Sequence, residues 1–161
     1  MNYKSYIEPR GYLTVCATDV QSKKVWTCFE HKNTVLTIGK NAICKSLAGE
    51  FSDTFDLYVY YMNFGIGGQE PDGTPKAVSP SLTELFGTVV AQKPVAATIP
   101  YASPHTVTFT SVLGSADANG NVINEAGLVL KDDSYFSLLT FGGLTKTSRI
   151  ELSFSWQLVI L

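Results

Sequence analysis

The clearest pattern of apolar and polar positions lies at the end of the chain. Ile150, Leu152, Phe154, Trp156, Leu158 and Ile160 hold every even position, and Arg149, Glu151, Ser153, Ser155 and Gln157 hold the odd ones. A strict two-residue period predicts a strand with one face on a core and the other toward solvent or a polar neighbour. Six such side chains stabilise by roughly 9–18 kcal/mol before entropy is subtracted. Val159 and Leu161 then make the last segment apolar on both faces. A fraying end would not be built this way. The strand is therefore expected in the middle of a sheet or at a subunit contact.

The rest of the chain reads mainly as strands. Residues 11–18 and 25–30, rich in β-branched and aromatic types, predict an N-terminal hairpin across the polar stretch Asp19 to Lys24. Leu36, Ile43 and Leu47 share a helical face between residues 33 and 49, which predicts one short helix from near Thr37. Ala48-Gly49 supplies its stop. Leu57 to Phe64 reads as a buried strand ending in Gly65-Ile66-Gly67-Gly68, and the proline-rich stretch 69–80 as a loop. Ser81-Leu82-Thr83-Glu84 has the pattern of a capping box opening one helical turn. Further strands are expected at 88–92, 105–112, 121–130 and 135–141. Asn119-Gly120 signals a type I′ hairpin, Asp132-Asp133-Ser134 a turn, and Gly142-Gly143 a strand end. About eight strands and one or two short helices, with no internal repeat or linker, fit a single all-β domain over residues 1–161. The expected architecture is an antiparallel, jelly-roll-like β-sandwich, with residues 1–30 a candidate arm or hairpin extension.

Composition narrows the partners. Apolar residues make up 45% of the chain, enough for a real core, and only 16% are charged. Twelve basic against 14 acidic residues give a net charge of −2 with no long run of either sign, so no nucleic-acid footprint is expected. No apolar run reaches the ~18–20 residues of a membrane span, and no secretory leader is visible behind Met1. Cys16, Cys28 and Cys44 form no CxxC pair. Two readings stay open for them: buried free thiols, or a Cys16–Cys28 bridge if the first hairpin is centred on Ser22.

Candidate chemistry is sparse. Gly65-Ile66-Gly67-Gly68 follows a strand, yet Gln69-Glu70 stands where a phosphate loop needs GK[ST]. A tight turn where backbones pass closely is the simpler reading. His31 and His105, the only imidazoles, sit in no recognisable triad context, and Asp132-Asp133 reads as a solvated turn. Asp117, Asn119, Asn121 and Asn124 offer oxygen ligands without calcium-loop spacing. Glu125 stands in the otherwise apolar run Asn124-Glu125-Ala126-Gly127-Leu128. A carboxylate there must be paired, hydrogen-bonded or outward-facing. Acceptance of backbone N–H groups, or pairing with Lys146 or Arg149, is the favoured reading over a catalytic acid. No catalytic, cofactor or metal site is assigned.

Several segments, in this order, resemble small structural proteins of tailed bacteriophages. Asn33-Thr34-Val35, Gly39-Lys40-Asn41-Ala42-Ile43 and Leu47-Ala48-Gly49 look like the opening helix of such proteins. Met62 to Gly68 is similar to their strand ending in a GxG turn, followed by a Pro/Thr-rich loop and an acidic Leu-Thr-Glu-Leu segment. Ile123-Asn124-Glu125-Ala126-Gly127-Leu128 is similar to their I-x-E-A-G-L strand, and Phe141, Lys146 and Trp156 to Ile160 complete the set. Gly68 and the hairpin at 1–30 depart from the pattern. The resemblance covers roughly residues 33–161 and marks Gly65, Gly67, Glu125, Gly127, Lys146 and Trp156 as structural motif positions. It implies a non-enzymatic virion component, assembled in the bacterial cytoplasm, that binds the major capsid protein or other virion proteins. A capsid decoration (cement) protein is the first expectation, and a tail, neck or fibre-adaptor protein the second. A homo-oligomer, with a trimer favoured, would seal exposed edges. Tyr3, Tyr6, Tyr12, Val159 and Leu161 are the expected assembly contacts. A third expectation, from another class, is a carbohydrate-binding sandwich using Trp26, Tyr58, Tyr60 and Tyr61.

Overall fold

The computed structural model describes residues 9–50, 57–103 and 105–160. In chain order the elements are β1 (Pro9–Asp19), β2 (Val25–Lys32), β3 (Thr34–Val35), α1 (Thr37–Ala48), β4 (Val59–Gly65) and β5 (Val89–Pro94). They continue with β6 (Ala96–Thr98), β7 (Thr106–Leu113), β8 (Val122–Leu130), β9 (Tyr135–Thr145) and β10 (Ile150–Ile160). Two five-stranded sheets result, in the orders β2-β1-β10-β7-β6 and β3-β9-β8-β4-β5, with antiparallel pairing throughout. The described residues form an all-β sandwich with one helix. The nested pairing of β1 with β10, β3 with β9 and β4 with β8 gives it a jelly-roll-like winding.

The alternating segment 150–160 becomes β10, the middle strand of its sheet. Leu152, Phe154, Trp156 and Leu158 are buried on the core face, between β1 and β7. They meet Met62 and Phe64 of β4, Leu128 of β8 and Phe141 of β9 in one cluster. The rings of Phe64 and Phe154 lie 4.4 Å apart, centre to centre, across the two sheets.

Both flanks of the sandwich are closed by a chain that changes sheet at a single residue. Asn33 joins β2 to β3, and Val95 joins β5 to β6. Such bends make the corners of a sandwich without exposing a long edge. The Asn33 N–H donates to the Gly11 carbonyl at 3.0 Å and its side-chain amide to the Ser137 hydroxyl. The Val95 N–H donates to the Tyr60 carbonyl at 3.2 Å.

The long connection 66–88 forms a third layer over the outer face of the second sheet. Its Val78, Leu82 and Leu85 pack on Tyr61, Val129 and Tyr135 in a second apolar cluster. Strand β8 is thus covered on both faces, and every residue from Ile123 to Leu130 is buried. A strand buried on both sides loses its alternation, as 121–130 does in the sequence.

Several local expectations are corrected. Residues 81–84 form no helical turn; the Leu82 N–H closes a turn on the Ser79 carbonyl at 3.1 Å, within the layer just described. Asn119-Gly120 is no hairpin, because β7 and β8 lie in different sheets and the chain between them crosses the end of the sandwich. Gly142 and Gly143 lie inside β9 rather than at its end. The short strands β3 and β6 add to the eight expected. In α1, Gly39 is required where a Cβ would overlap the Phe136 carbonyl, and Gly49 caps the helix at φ 69°. Leu47 is not a core residue: it is 81% exposed.

The β1–β2 register pairs Tyr12 with Lys32 and Cys16 with Cys28, which centres the hairpin on Ser22. Cys16 and Cys28 form a disulfide, while Cys44 is free and exposed, so the reading of three buried free thiols is overturned.

Candidate functional site

The strand registers define two ends of the sandwich. One holds the end of β4, the start of β8 and the turn from β9 into β10; the other holds the start of β4, the end of β10 and α1. The first is closed by polar groups.

At its centre the fully buried Glu125 points into the turn 65–68 and the segment 86–87. Its Oε1 accepts the N–H of Gly67 at 2.8 Å and of Gly87 at 3.0 Å, and its Oε2 accepts that of Phe86 at 2.8 Å. Neighbouring Asn124 repeats the arrangement, accepting the Gly68 N–H at 2.8 Å and donating to Gln69 at 3.1 Å. A Cβ on Gly67 would overlap the Gly87 backbone, and one on Gly68 the Asn124 carbonyl. Glycine is needed at these positions for close approach of backbones. Lys76 binds the Gly67 carbonyl at 2.8 Å and sits 5.1 Å above the Phe86 ring, which ties the loop a further time. A carboxylate whose oxygens are taken up by backbone donors in this way acts as a fastener for the third layer. Neither Lys146 nor Arg149 is its partner.

Lys146 is fully buried nearby, where its ammonium donates to Asn119 Oδ1 at 3.0 Å and to the Thr147 carbonyl at 2.9 Å. Burial lowers its pKa from the usual lysine value, opposed by the charges of Asp117 and Glu151. Asp117 is held below the usual carboxylate range, first by its hydrogen bond from Lys93, 2.6 Å away. Of the residues weighed for calcium, Asp117 and Asn119 have an oxygen engaged by a lysine ammonium group and Asn124 by the Gly68 N–H, while Asn121 donates its side-chain amide to the Ala118 carbonyl at 3.0 Å. Among the described residues no group of three His, Cys, Asp or Glu is placed to hold a metal. Asp19 and Arg149 complete this end, with 3.3 Å between Oδ2 and the guanidinium. The N–H and hydroxyl of Ser22 hold the Asp19 carboxyl below its usual value.

The opposite end is apolar. A groove of about 540 Å³ opens between α1 and the two sheets, lined by Ile43, Leu47, Tyr58, Ile99, Phe109 and Ile160 among others. Among the described residues no charged side chain lines it. Leu47, Ile99 and Tyr58 stand on it 81%, 67% and 54% exposed.

The expected assembly contacts divide. Tyr3, Tyr6 and Leu161 lie outside the described residues. Tyr12 is half-buried in β1, opposite Gln157. Val159 is half-buried between Arg10 and Thr106, beside groove-lining Leu158 and Ile160. Of the motif positions, Gly65 and Gly67 lie against Glu125, and a Cβ on Gly127 would strike the Tyr135 ring under the third layer. Trp156 is the largest fully buried side chain of the core. The aromatics weighed for carbohydrate do not form one platform. Trp26 lies on edge strand β2, while Tyr58 and Tyr60 lie at β4 beside the other flank, and Tyr61 packs under the loop layer. Sequence reasoning missed Lys76, Gly87 and the groove, because each takes its role from residues distant in sequence. Among the described residues no helix is long and apolar enough to cross a membrane. Neither a protein-family model, nor a curated protein, nor a solved structure matches the chain.

Proposed function

We propose that this chain is a non-enzymatic structural protein of a tailed-phage virion, a capsid decoration (cement) protein that binds and stabilises the major capsid lattice as a homo-oligomer, with a trimer favoured. The observation that carries the reading is the meeting of its separate motifs. The Gly65–Gly68 turn and the Asn124–Gly127 strand, 56–58 residues apart, are joined through Glu125 and Asn124. Short motifs that meet in one fastening are parts of one design, and the phage resemblance rests on their collinear order. Two further features support it. A sandwich with both flanks closed and an outer layer tied down is a stiff block, suited to bridging lattice subunits against outward pressure. Its exposed apolar end and the edge strand β6 offer surface for contacts by apolar burial and strand addition.

The test is purified protein mixed with decoration-free capsids and imaged by electron microscopy. Density over the shell is expected, and deletion of residues 1–10 should abolish it. Density only at the tail or neck replaces this reading with the adaptor role, and an absence of particle binding overturns both.

A further inference from the structure

We propose that the Cys16–Cys28 bridge is a thiol–disulfide exchange site of the folded protein: a small thiol attacks Cys28 Sγ, and opening the bridge frees edge strand β2 while the rest of the sandwich holds. It stands independently of the virion role. Burial separates the two strands that the bridge joins. In β1 the inward residues Leu13, Val15 and Ala17 are all buried, and β10 flanks it on the other side. Strand β2 pairs within its sheet with β1 alone. Of its described side chains only Phe29 is not exposed; it is half-buried and meets Phe141 with 5.6 Å between ring centres. A strand with so little apolar burial has low local stability, so the covalent link supplies what burial does not. The Cα atoms of Cys16 and Cys28 lie 4.3 Å apart, the spacing of a facing pair that exchanges no ladder hydrogen bonds. At this rung the side chains alone join the strands.

Access to the two sulfurs is uneven. Cys28 is exposed and Cys16 half-buried, so an incoming thiolate meets Cys28 Sγ, and Cys16 is the leaving group. The new S–S bond to the thiol forms as the Cys16–Cys28 bond breaks, and Cys16 departs as a thiolate that takes up a proton. With a dithiol, the second thiolate attacks the mixed disulfide, releases Cys28 in turn and leaves as a cyclic disulfide. The bridge gains two electrons and two protons, and the dithiol loses them. A low-molecular-weight disulfide closes the bridge again by the reverse steps. Both ends of β2 are fixed without the bridge. In the hairpin turn the buried Asp19 carboxylate accepts the N–H of Gln21 at 3.0 Å and of Ser22 at 2.7 Å. At the corner the Asn33 N–H holds the Gly11 carbonyl at 3.0 Å. Reduction therefore loosens a strand between two anchors and opens the edge of β1 to another strand.

The test starts from the oxidised full chain, with the exposed thiol of Cys44 first blocked by alkylation. Dithiothreitol is added without denaturant, and new thiols are alkylated and mapped by peptide mass spectrometry. Cys16 and Cys28 should open together, at a rate that rises linearly with dithiothreitol and ignores urea below the unfolding transition. With glutathione in its place, the trapped mixed disulfide should sit on Cys28. Hydrogen–deuterium exchange should show peptides covering 25–32 losing protection at least about ten-fold on reduction, with peptides covering 150–158 unchanged. A rate that climbs with urea below the transition shows that attack waits for unfolding and overturns the inference. So does a glutathione adduct carried equally or mainly by Cys16. Protection in 25–32 that reduction leaves unchanged overturns it as well, and so does a loss that spreads to 150–158.

Discussion

At the closed end of the sandwich, polar groups are buried and met by partners; at the open end, large apolar groups stand in solvent. Glu125 and Lys146 represent the first arrangement, Leu47 and Ile99 the second. Both depart from the usual distribution of residue types, in opposite directions. A buried carboxylate that gathers backbone N–H groups holds a loop in place, and its removal leaves donors without partners. An exposed leucine adds almost nothing to the fold and is available to a partner. Under the proposed function, stability and contact with other chains fall to different ends of one molecule, and substitutions should separate them.

The largest effect is expected at Glu125. Glu125→Ala leaves the N–H groups of Gly67, Phe86 and Gly87 unsatisfied, at a cost of about 3–5 kcal/mol in urea unfolding. A loss below about 1 kcal/mol would show that the third layer does not depend on this residue. Gly67→Ala comes next, at about 2–3 kcal/mol, because the added methyl meets the Gly87 backbone rather than a flexible side chain. Reduction of the Cys16–Cys28 disulfide, which closes a separation of 12 residues, should cost about 2–3 kcal/mol, seen as a lower melting temperature in reductant. Leu47→Asp should change the unfolding free energy of the isolated chain by less than about 0.5 kcal/mol. A larger loss would mean that the open end belongs to the core.

The pH dependence reports on the same comparison, because its groups lie at the closed end and under the loop layer. Asp19 and Asp117 bind protons less tightly when folded than the usual value of 3.8 implies. Their contribution is present above that value and is lost as pH falls through the folded pKa. Lys146 has a folded pKa below 10.5, so the unfolded chain binds the proton more tightly and stability should rise as pH climbs toward 10.5. Burial raises the Tyr135 pKa above 10.0, so its contribution falls once pH passes that value. Lys146→Met should abolish the alkaline rise, trim the Asp117 part of the acid limb, whose lowered pKa owes a little to the Lys146 charge, and leave the Asp19 part intact. Unfolding curves across pH check both signs.

Much of the sandwich could be read directly from periodicity. Strand β10 alternates because only one of its faces meets the core, and the Cys16–Cys28 register follows from a hairpin centred on Ser22. What stayed hidden is non-local. Asn119-Gly120 has the chemistry of a tight hairpin, but no local signal says that its flanking strands belong to different sheets. Residues 81–84 have the capping pattern of a helix, yet burial of Leu82 and Leu85 against the second sheet draws the chain flat across it. Glu125 was legible as a residue in need of partners. The partners were not, since backbone N–H groups 38–58 residues away carry no side-chain signature. The groove was hidden for the same reason: its lining comes from α1 and both sheets, and Leu47 reads on the helical face as an ordinary core position.

Hydrogen–deuterium exchange of the full chain, free and bound to decoration-free capsids, tests the division between the two ends most directly. Peptides covering 65–68 and 84–87 should be protected equally in both states. Peptides covering 43–48 and 96–101 should gain protection only in the bound one. Free exchange at the Glu125 end, or exchange at the Leu47 end that ignores binding, would contradict it.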